Sequence, residues 1–303
     1  MTHPHPAPSR IGPRTFHWGE RTYVMGIINV TPDSFSGDGV LASRDVEAGE
    51  SGGATDPVER AVDTGRWMVA DGADLLDVGG ESTRPGHQPV DADEERRRVV
   101  PIVAALREAL PHTPISIDTT KPAVAEASVD AGANLINDVW GVGAGDALPR
   151  LAASRNVPLV VMHNRSEPRY GDLLADVVGD LRAALDRAVA LGVAWDDLVV
   201  DPGFGFGKTP EQNLQLIREL SELRVLGRPI LLGTSRKSTL GRVLGLGPDQ
   251  RLEATLATTA LAIAGGVDIV RVHDVGPNAR AALVGDAIMR GHWRSEPAEG
   301  GPS

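Results

Sequence analysis

The chain has 303 residues with 35 Gly, 22 Pro, 4% aromatic and 41% hydrophobic residues, so its core must be built from Val, Leu, Ile and Ala, as in a parallel sheet covered by helices. Thirty basic residues against 41 acidic ones leave a net charge of −11, which argues against a nucleic-acid surface and requires any anionic substrate to be held by a local basic cluster. The absence of cysteine excludes disulfides, thiol catalysis and zinc–thiolate sites.

The opening segment 1–14 and the closing segment 295–303 are rich in Pro, Gly and Ser and read as disordered tails around a single domain, 15–294. The opening has no apolar signal core, and the apolar runs elsewhere are short or interrupted. The expectation is a soluble, cytoplasmic chain that touches neither membrane nor nucleic acid. TFHWGERTY, with its central Gly-Glu, reads as a small hairpin closing the floor of a barrel.

From there, short Val/Ile/Leu-rich runs alternate with amphipathic helical stretches. The runs are YVMGIIN (23–29), DLLDVG (74–79), PISID (114–118), ANLIND (133–138), PLVVMH (158–163), LVVD (198–201), PILLGT (229–234) and DIVRVH (268–273). Eight such units predict a (β/α)8 TIM barrel, whose usual size of about 250 residues leaves no room for a second domain.

What stands at each strand end is more informative. In order these are Asn29, Asp77 with Glu81, Asp118, Asn137 with Asp138, His163 with Asn164, Asp201, then Ser235-Arg236-Lys237, and Arg271 with His273. In this fold they are expected to face one mouth, where active sites sit. A single Asp at a strand end is often only a helix cap or turn residue, but eight polar endings in eight units exceed what capping requires. Asp118, Asn137 and Asp201 suit a flat ring carrying several N–H donors and a carbonyl. Arg236, Lys237, Arg271 and His273 gather on the last two strands, where barrels most often hold phosphate.

Two long loops follow strands one and two, MGIINVTPDSFSGDG and GGESTRPGHQPV, and are expected to close over a substrate. DPGFGFGKT (201–209) imitates a phosphate-binding loop, but the position five before Gly207 is Pro202, which has no N–H to offer. Lys208 is therefore given no phosphate role. EERRR (94–98) reads as a solvated helix face, and His3, His5, His17, His87 and His112 are assigned no metal or catalytic part.

Taken as an ordered set, MGIINVTPDSFS, DVGGESTRPG, SIDT, INDV, VMHN, DPGFGFGK, GTSRKS and RVHDV resemble the dihydropteroate synthase family. The resemblance runs over about residues 23–275. It implies a transferase that condenses 6-hydroxymethyl-7,8-dihydropterin diphosphate with 4-aminobenzoate, releasing pyrophosphate and leaving 7,8-dihydropteroate. It puts the pterin against Asp118, Asn137, Met162, Asp201, Phe206 and Lys237, and the pyrophosphate against Asn29, Arg271 and His273, with Asn29 as ligand to Mg²⁺. It assigns 4-aminobenzoate to Phe35, Thr83, Arg84, Pro85 and Ser238, where sulfonamides would compete. It also implies a homodimer through the last helices.

The chemistry implied is a dissociative substitution at the pterin methylene, with Lys237, Arg271 and His273 acting in catalysis and Asp33 or Asp38 stabilising a cationic pterin. The first loop departs from the family's usual SFSDGG, since this chain has SFSGDGV with Gly37 before Asp38, and an acidic insert, 40–56, follows. Two other readings stay open at this point: a paralog that binds pterin without turnover, and the methyltetrahydrofolate-binding domain of corrinoid methyltransferases.

Overall fold

β-Branched and leucine-rich runs too short for helices form eight parallel strands in the computed structural model, which describes residues 5–30, 56–81, 90–141 and 145–291. They are β3 (Tyr23–Asn29), β4 (Leu75–Gly79), β5 (Ile115–Asp118), β6 (Leu135–Asp138), β7 (Leu159–Met162), β8 (Leu198–Asp201), β9 (Leu231–Leu232) and β10 (Ile269–Val272). Their hydrogen-bonded order is β8-β7-β6-β5-β4-β3-β10-β9. A bridge between Val200 and Ile230 and a bond from Val200 N–H to the Pro229 carbonyl, 2.9 Å, join the two ends into the expected barrel.

The helices begin where the local chemistry permits. Asp56 caps α1 (Pro57–Ala70), accepting from Val58 N–H, and Asp91 caps α2 (Ala92–Ala109), accepting from Glu94 N–H. These side chains satisfy donors that the first turn leaves open. The remainder are α3 (Pro122–Asp130), α4 (Ala147–Arg155), α5 (Leu173–Ala190), α6 (Pro210–Arg218), α7 (Ser238–Leu244), α8 (Leu252–Ala264) and α9 (Val275–Arg290). Thr209 and Gln212 form a reciprocal capping box at α6.

Alternation along the strands divides the apolar residues into two cores. Val24, Ile28, Leu76, Val78, Ile117, Ile136, Val161 and Val200 face the helices. Tyr23, Met25, Leu75, Leu135, Val160, Val199, Leu231 and Ile269 fill the lower barrel together with Ile11, Phe16 and Trp18. The inner positions further along the same strands include Asn29, Asp77, Asp118, Asn137, Asp201 and Arg271, and this is what makes one end of the barrel a site.

The floor is closed by a hairpin, as expected, but an earlier one. Its strands are β1 (Ser9–Ile11) and β2 (Arg14–Phe16), antiparallel, with Ile11 paired to Arg14. Gly12 takes the turn at φ 53°, where an added Cβ would collide with Asn134. Residues 9–14, expected in a tail, are therefore structured. Composition misled because one fully buried isoleucine and one bonded serine suffice: Ser9 Oγ accepts from Trp18 Nε1 at 2.9 Å and donates to the Asp196 carbonyl at 2.6 Å. Phe16, Trp18 and Tyr23 pack with centroids 4.7–5.6 Å apart, in the offset and edge contacts aromatic rings favour.

The segment 295–303 and residues 40–55 of the insert lie outside the described residues. The EERRR face departs from expectation at Glu95, which is buried.

Because Ile11 sits against the aromatic floor, Ile11→Ala should cost about 2–5 kcal/mol by transfer and cavity effects, read as a lowered urea midpoint with an unchanged slope. A loss below about 0.5 kcal/mol, the range of ordinary surface changes, would return residues 9–11 to a tail.

Candidate active site

Strand register arranges the polar inner positions into one ring. Asn29 lies beside Gly79, Gly79 beside Asp118, and Asp118 beside Asn137, while Met162 pairs with Asp201. Arg271 enters lower, level with Met25, and its long side chain rises into the ring. Arg271 Nε donates to Asp77 Oδ2 and Nη2 to Asp118 Oδ2, both at 2.6 Å. Asp77 Oδ2 also accepts from Asn137 Nδ2 at 3.1 Å. One guanidinium thus holds two carboxylates and, through Asp77, an amide.

The charges are out of water, so their protonation is set by burial against pairing. Burial works against the charge of Arg271, yet Asp77 and Asp118 outweigh it and raise its pKa. Burial raises Asp118, with the Arg271 guanidinium opposing and Asp77 and Glu95 reinforcing. Burial likewise raises Asp201, although Lys237 and the N–H of Gly203, 2.7 Å from Oδ1, pull it back. Lys237 is lowered to about 7 by burial, with Asp201 and Asp118 resisting and Arg271 assisting.

Lys237 owes its position to the turn after β9. Arg236 stands at φ 58°, a left-handed conformation that costs a non-glycine residue roughly 1–2 kcal/mol. The turn is held from several sides: the Arg236 guanidinium donates to Asp274 at 3.1 and 2.8 Å, Arg236 N–H to Thr255 Oγ1 at 3.3 Å, and Arg251 Nη1 to the Arg236 carbonyl at 2.8 Å. Lys237 then stands at the N-cap position of α7, without a side-chain cap bond, and reaches across to donate to the Phe204 carbonyl, its Nζ 4.1 Å from the centroid of the Phe206 ring. Arg236, expected among the phosphate-holding cations, is a brace for Lys237 instead, since its fork is committed to Asp274. Ser238 is exposed at the first turn of α7.

Across the ring, His273 Nδ1 is 3.0 Å from Ser235 Oγ, and Asn29 Nδ2 is 3.4 Å from His273 Nε2. With the amide so oriented, Nε2 accepts and Nδ1 carries the proton. The carbonyl end of Asn29 is then left for another ligand. Among the described residues no group of three or more His, Asp or Glu could hold a metal. A single amide oxygen nevertheless suits Mg²⁺, which keeps several waters and is often bound through one protein ligand plus substrate phosphates.

Of the residues assigned from sequence, Asn29, Asp118, Asn137, Met162, Asp201, Phe206, Lys237, Arg271 and His273 come to this mouth, with Ser238 at its edge. Asp33, Phe35, Asp38, Thr83, Arg84 and Pro85 lie outside the described residues. Two strand-end residues expected at the mouth do not face it. Asp138 and His163 share the outward parity of Ile136 and Val161. Asp138 accepts from the Trp140 N–H at 3.0 Å as a turn residue, and buried His163 meets Asp180 of α5 at 3.1 Å. Asn164 donates to the Val139 carbonyl.

Sequence reasoning gave Asp77 no ligand contact and missed its part as the counter-charge beneath the ring. Its place two residues before Gly79, on the inward parity, was the available signal. The Phe204 carbonyl could not have been found, because a backbone acceptor carries no sequence mark.

Residues 25–273 match the family model described as pterin binding enzyme. The dihydropteroate synthase of Clostridium beijerinckii is 46% identical over 282 residues, covering 93% of this chain and 99% of that protein. A crystal structure of dihydropteroate synthase from Clostridium difficile in the presence of pteroic acid superposes with a TM-score of 0.83 at 45% identity, over 91% of this chain and 99% of that one. The Xanthomonas albilineans dihydropteroate synthase, solved in complex with 7,8-dihydropteroate, does so at 0.81 and 38%, over 93% and 98%. Together with the buried, charge-compensated mouth, these likenesses establish that the chain belongs to the pterin binding enzyme family and, within it, to the dihydropteroate synthases.

Proposed function

We propose that this mouth joins 6-hydroxymethyl-7,8-dihydropterin diphosphate to 4-aminobenzoate, with a division of labour set by the charge layout. The observation that carries it is the pairing of two carboxylate acceptors, half-buried Asp118 and buried Asp201, with half-buried Lys237 across one slot. The guanidine-like edge of a pterin offers adjacent N–H donors, which a carboxylate matches with two oxygens. Asp201, Asp118 and Asn137 read that edge, Lys237 donates to the carbonyl and ring nitrogen, and Met162 and Phe206 line the two faces.

In the reaction the bond from the pterin methylene to the diphosphate oxygen breaks, and its electron pair leaves with the pyrophosphate. Arg271, His273 and Asn29 hold that leaving group, where negative charge accumulates in the transition state. Asn29 would hold Mg²⁺, which when bound supplies additional positive charge to the phosphate oxygens. The methylene is left cationic, and Asp33 or Asp38 of the first loop balances it. The lone pair of the neutral aromatic amine then forms the new C–N bond, and the amine proton passes to pyrophosphate or water, so no dedicated protein base is required. Thr83, Arg84, Pro85, Phe35 and Ser238 form the aminobenzoate side, where sulfonamides compete.

An exposed apolar stripe on α8 and α9, Leu261, Leu283, Val284, Ile288 and Met289, supports a homodimer through these helices. A cytoplasmic setting is part of the same reading; among the described residues no helix is long and apolar enough to cross a membrane.

Purified protein given the pterin diphosphate, 4-aminobenzoate and Mg²⁺ should release pyrophosphate and form pteroate in equal amounts. Pterin binding without release would instead mark a silent paralog. Lys237→Ala should raise the KM for the pterin diphosphate roughly 10- to 100-fold, the range for a lost charged hydrogen bond, whereas Arg84→Ala should act mainly on the KM for aminobenzoate; equal effects on both substrates would defeat this assignment. Since Lys237 is lowered to about 7 and its hydrogen bonds are charge-assisted only while it is protonated, kcat/KM for the pterin diphosphate should decline as pH rises through that value. The decline should vanish in Lys237→Ala; its persistence would assign the limb to another group.

A further inference from the structure

The lysine of DPGFGFGKT has no place in the reaction above, yet it is more heavily bonded than Lys237. Its Nζ donates to His163 Nδ1 at 2.9 Å and to the carbonyls of Gly203 and Phe206, each at 3.1 Å. An ammonium has three donors, and all three are used within one turn and its neighbour. The partner imidazole is fixed as well. Nδ1 of buried His163 accepts from Lys208, so Nε2 carries the proton and donates to Asp180 Oδ2 at 3.1 Å. Asp180 also accepts from Arg165 Nε at 2.8 Å.

The turn so held, 202–207, lies directly against the chain that follows β7. At Gly203, φ 69°, an added Cβ would come within 1.8 Å of the His163 carbonyl. At Gly207, φ 54°, it would come within 2.2 Å of the Arg165 carbonyl. The same turn presents two groups to the mouth, the Phe204 carbonyl that accepts from Lys237 and the Phe206 ring that lies against it. Its root is Asp201, whose carbonyl accepts from His163 N–H at 2.8 Å.

We propose that Lys208 is a positioning residue of the pterin slot: from behind the mouth it holds the 202–207 turn and thereby sets where Phe206 and Lys237 stand relative to Asp201. This rests on the functional reading above, in that the slot is taken to receive a pterin. Burial forces the arrangement. With the ammonium removed, the Phe206 carbonyl and Nδ1 of buried His163 each lose a donor, while the Gly203 carbonyl keeps only the Phe206 N–H at 3.1 Å, and the turn shifts to recover the lost bonds. Lys208 does not touch the ligand, so its removal displaces the slot rather than deleting a contact.

The turn keeps other attachments, from Tyr170 Oη to the Gly207 carbonyl at 2.7 Å and from Gly205 N–H to Asn213 Oδ1 at 2.7 Å, so a lysine variant retains a folded barrel. The test is Lys208→Met, which keeps the aliphatic stem. The KM for the pterin diphosphate, and its Kd measured without aminobenzoate, should rise about tenfold or more, as small misplacements near a site do. The KM for aminobenzoate should stay within about twofold, below what a single lost hydrogen bond costs.

Wild-type protein that binds no pterin diphosphate would overturn the functional reading itself. Wild type that binds, beside a Lys208→Met protein that binds equally well or loses both substrates together, would overturn only the role of Lys208. Should Lys208→Met fail to fold, Tyr170→Phe loosens the same turn at Gly207 without altering a charge. It should then move the pterin KM in the same direction, and an unchanged value would count against the proposal.

Discussion

The mouth depends on Arg271 lying between Asp77 and Asp118. A barrel interior is normally filled by branched apolar side chains, and here the lower half obeys that rule while the upper half carries carboxylates. Unpaired, either carboxylate would be held out of water at a cost of several kcal/mol. The guanidinium answers both with geometrically matched bonds, and Asp77 passes the constraint to Asn137. Arg271 also faces the side given to the diphosphate. In the proposed reading one cation therefore joins the group that reads the ring to the group that receives the leaving phosphate.

Lys237 stands opposite under a different constraint. It is placed by backbone geometry: a left-handed residue before it, a helix beginning at it and a glycine-rich turn facing it. Such geometry is unfavourable locally and persists because Asp274, Thr255 and Arg251 hold Arg236 in place. The proposed pterin slot is thus assembled from a charge-paired half and a strained half, and the Phe204 carbonyl and Phe206 ring are where the glycine-rich turn meets Lys237.

Much of this was legible in the sequence for a simple reason. The strands are short, apolar and regularly spaced, and in a barrel the strand ends converge, so YVMGIIN could be located to the residue and Asp118, Asn137 and Asp201 could be gathered before any coordinates. Three kinds of feature were not legible. Parity at the last residue of a strand decides mouth or back, and His163 and Asp138 fell on the back. Side chains that serve other side chains, such as Arg236 with Asp274, look identical in sequence to those that serve a ligand. A segment fixed by one isoleucine, 9–14, resembles a tail in composition.

The aromatic floor bears on how the reaction can be ordered. Phe16, Trp18 and Tyr23, with the apolar layer above them, leave the barrel open at one end only, so it works as a closed-bottomed well. Asn137 and Asp201 are 2% and 7% exposed and sit deep in it. Under the proposed reading the pterin must therefore arrive before the partner that rests nearer the rim, and the two leave as one joined product. In that reading the order of substrate arrival follows from depth.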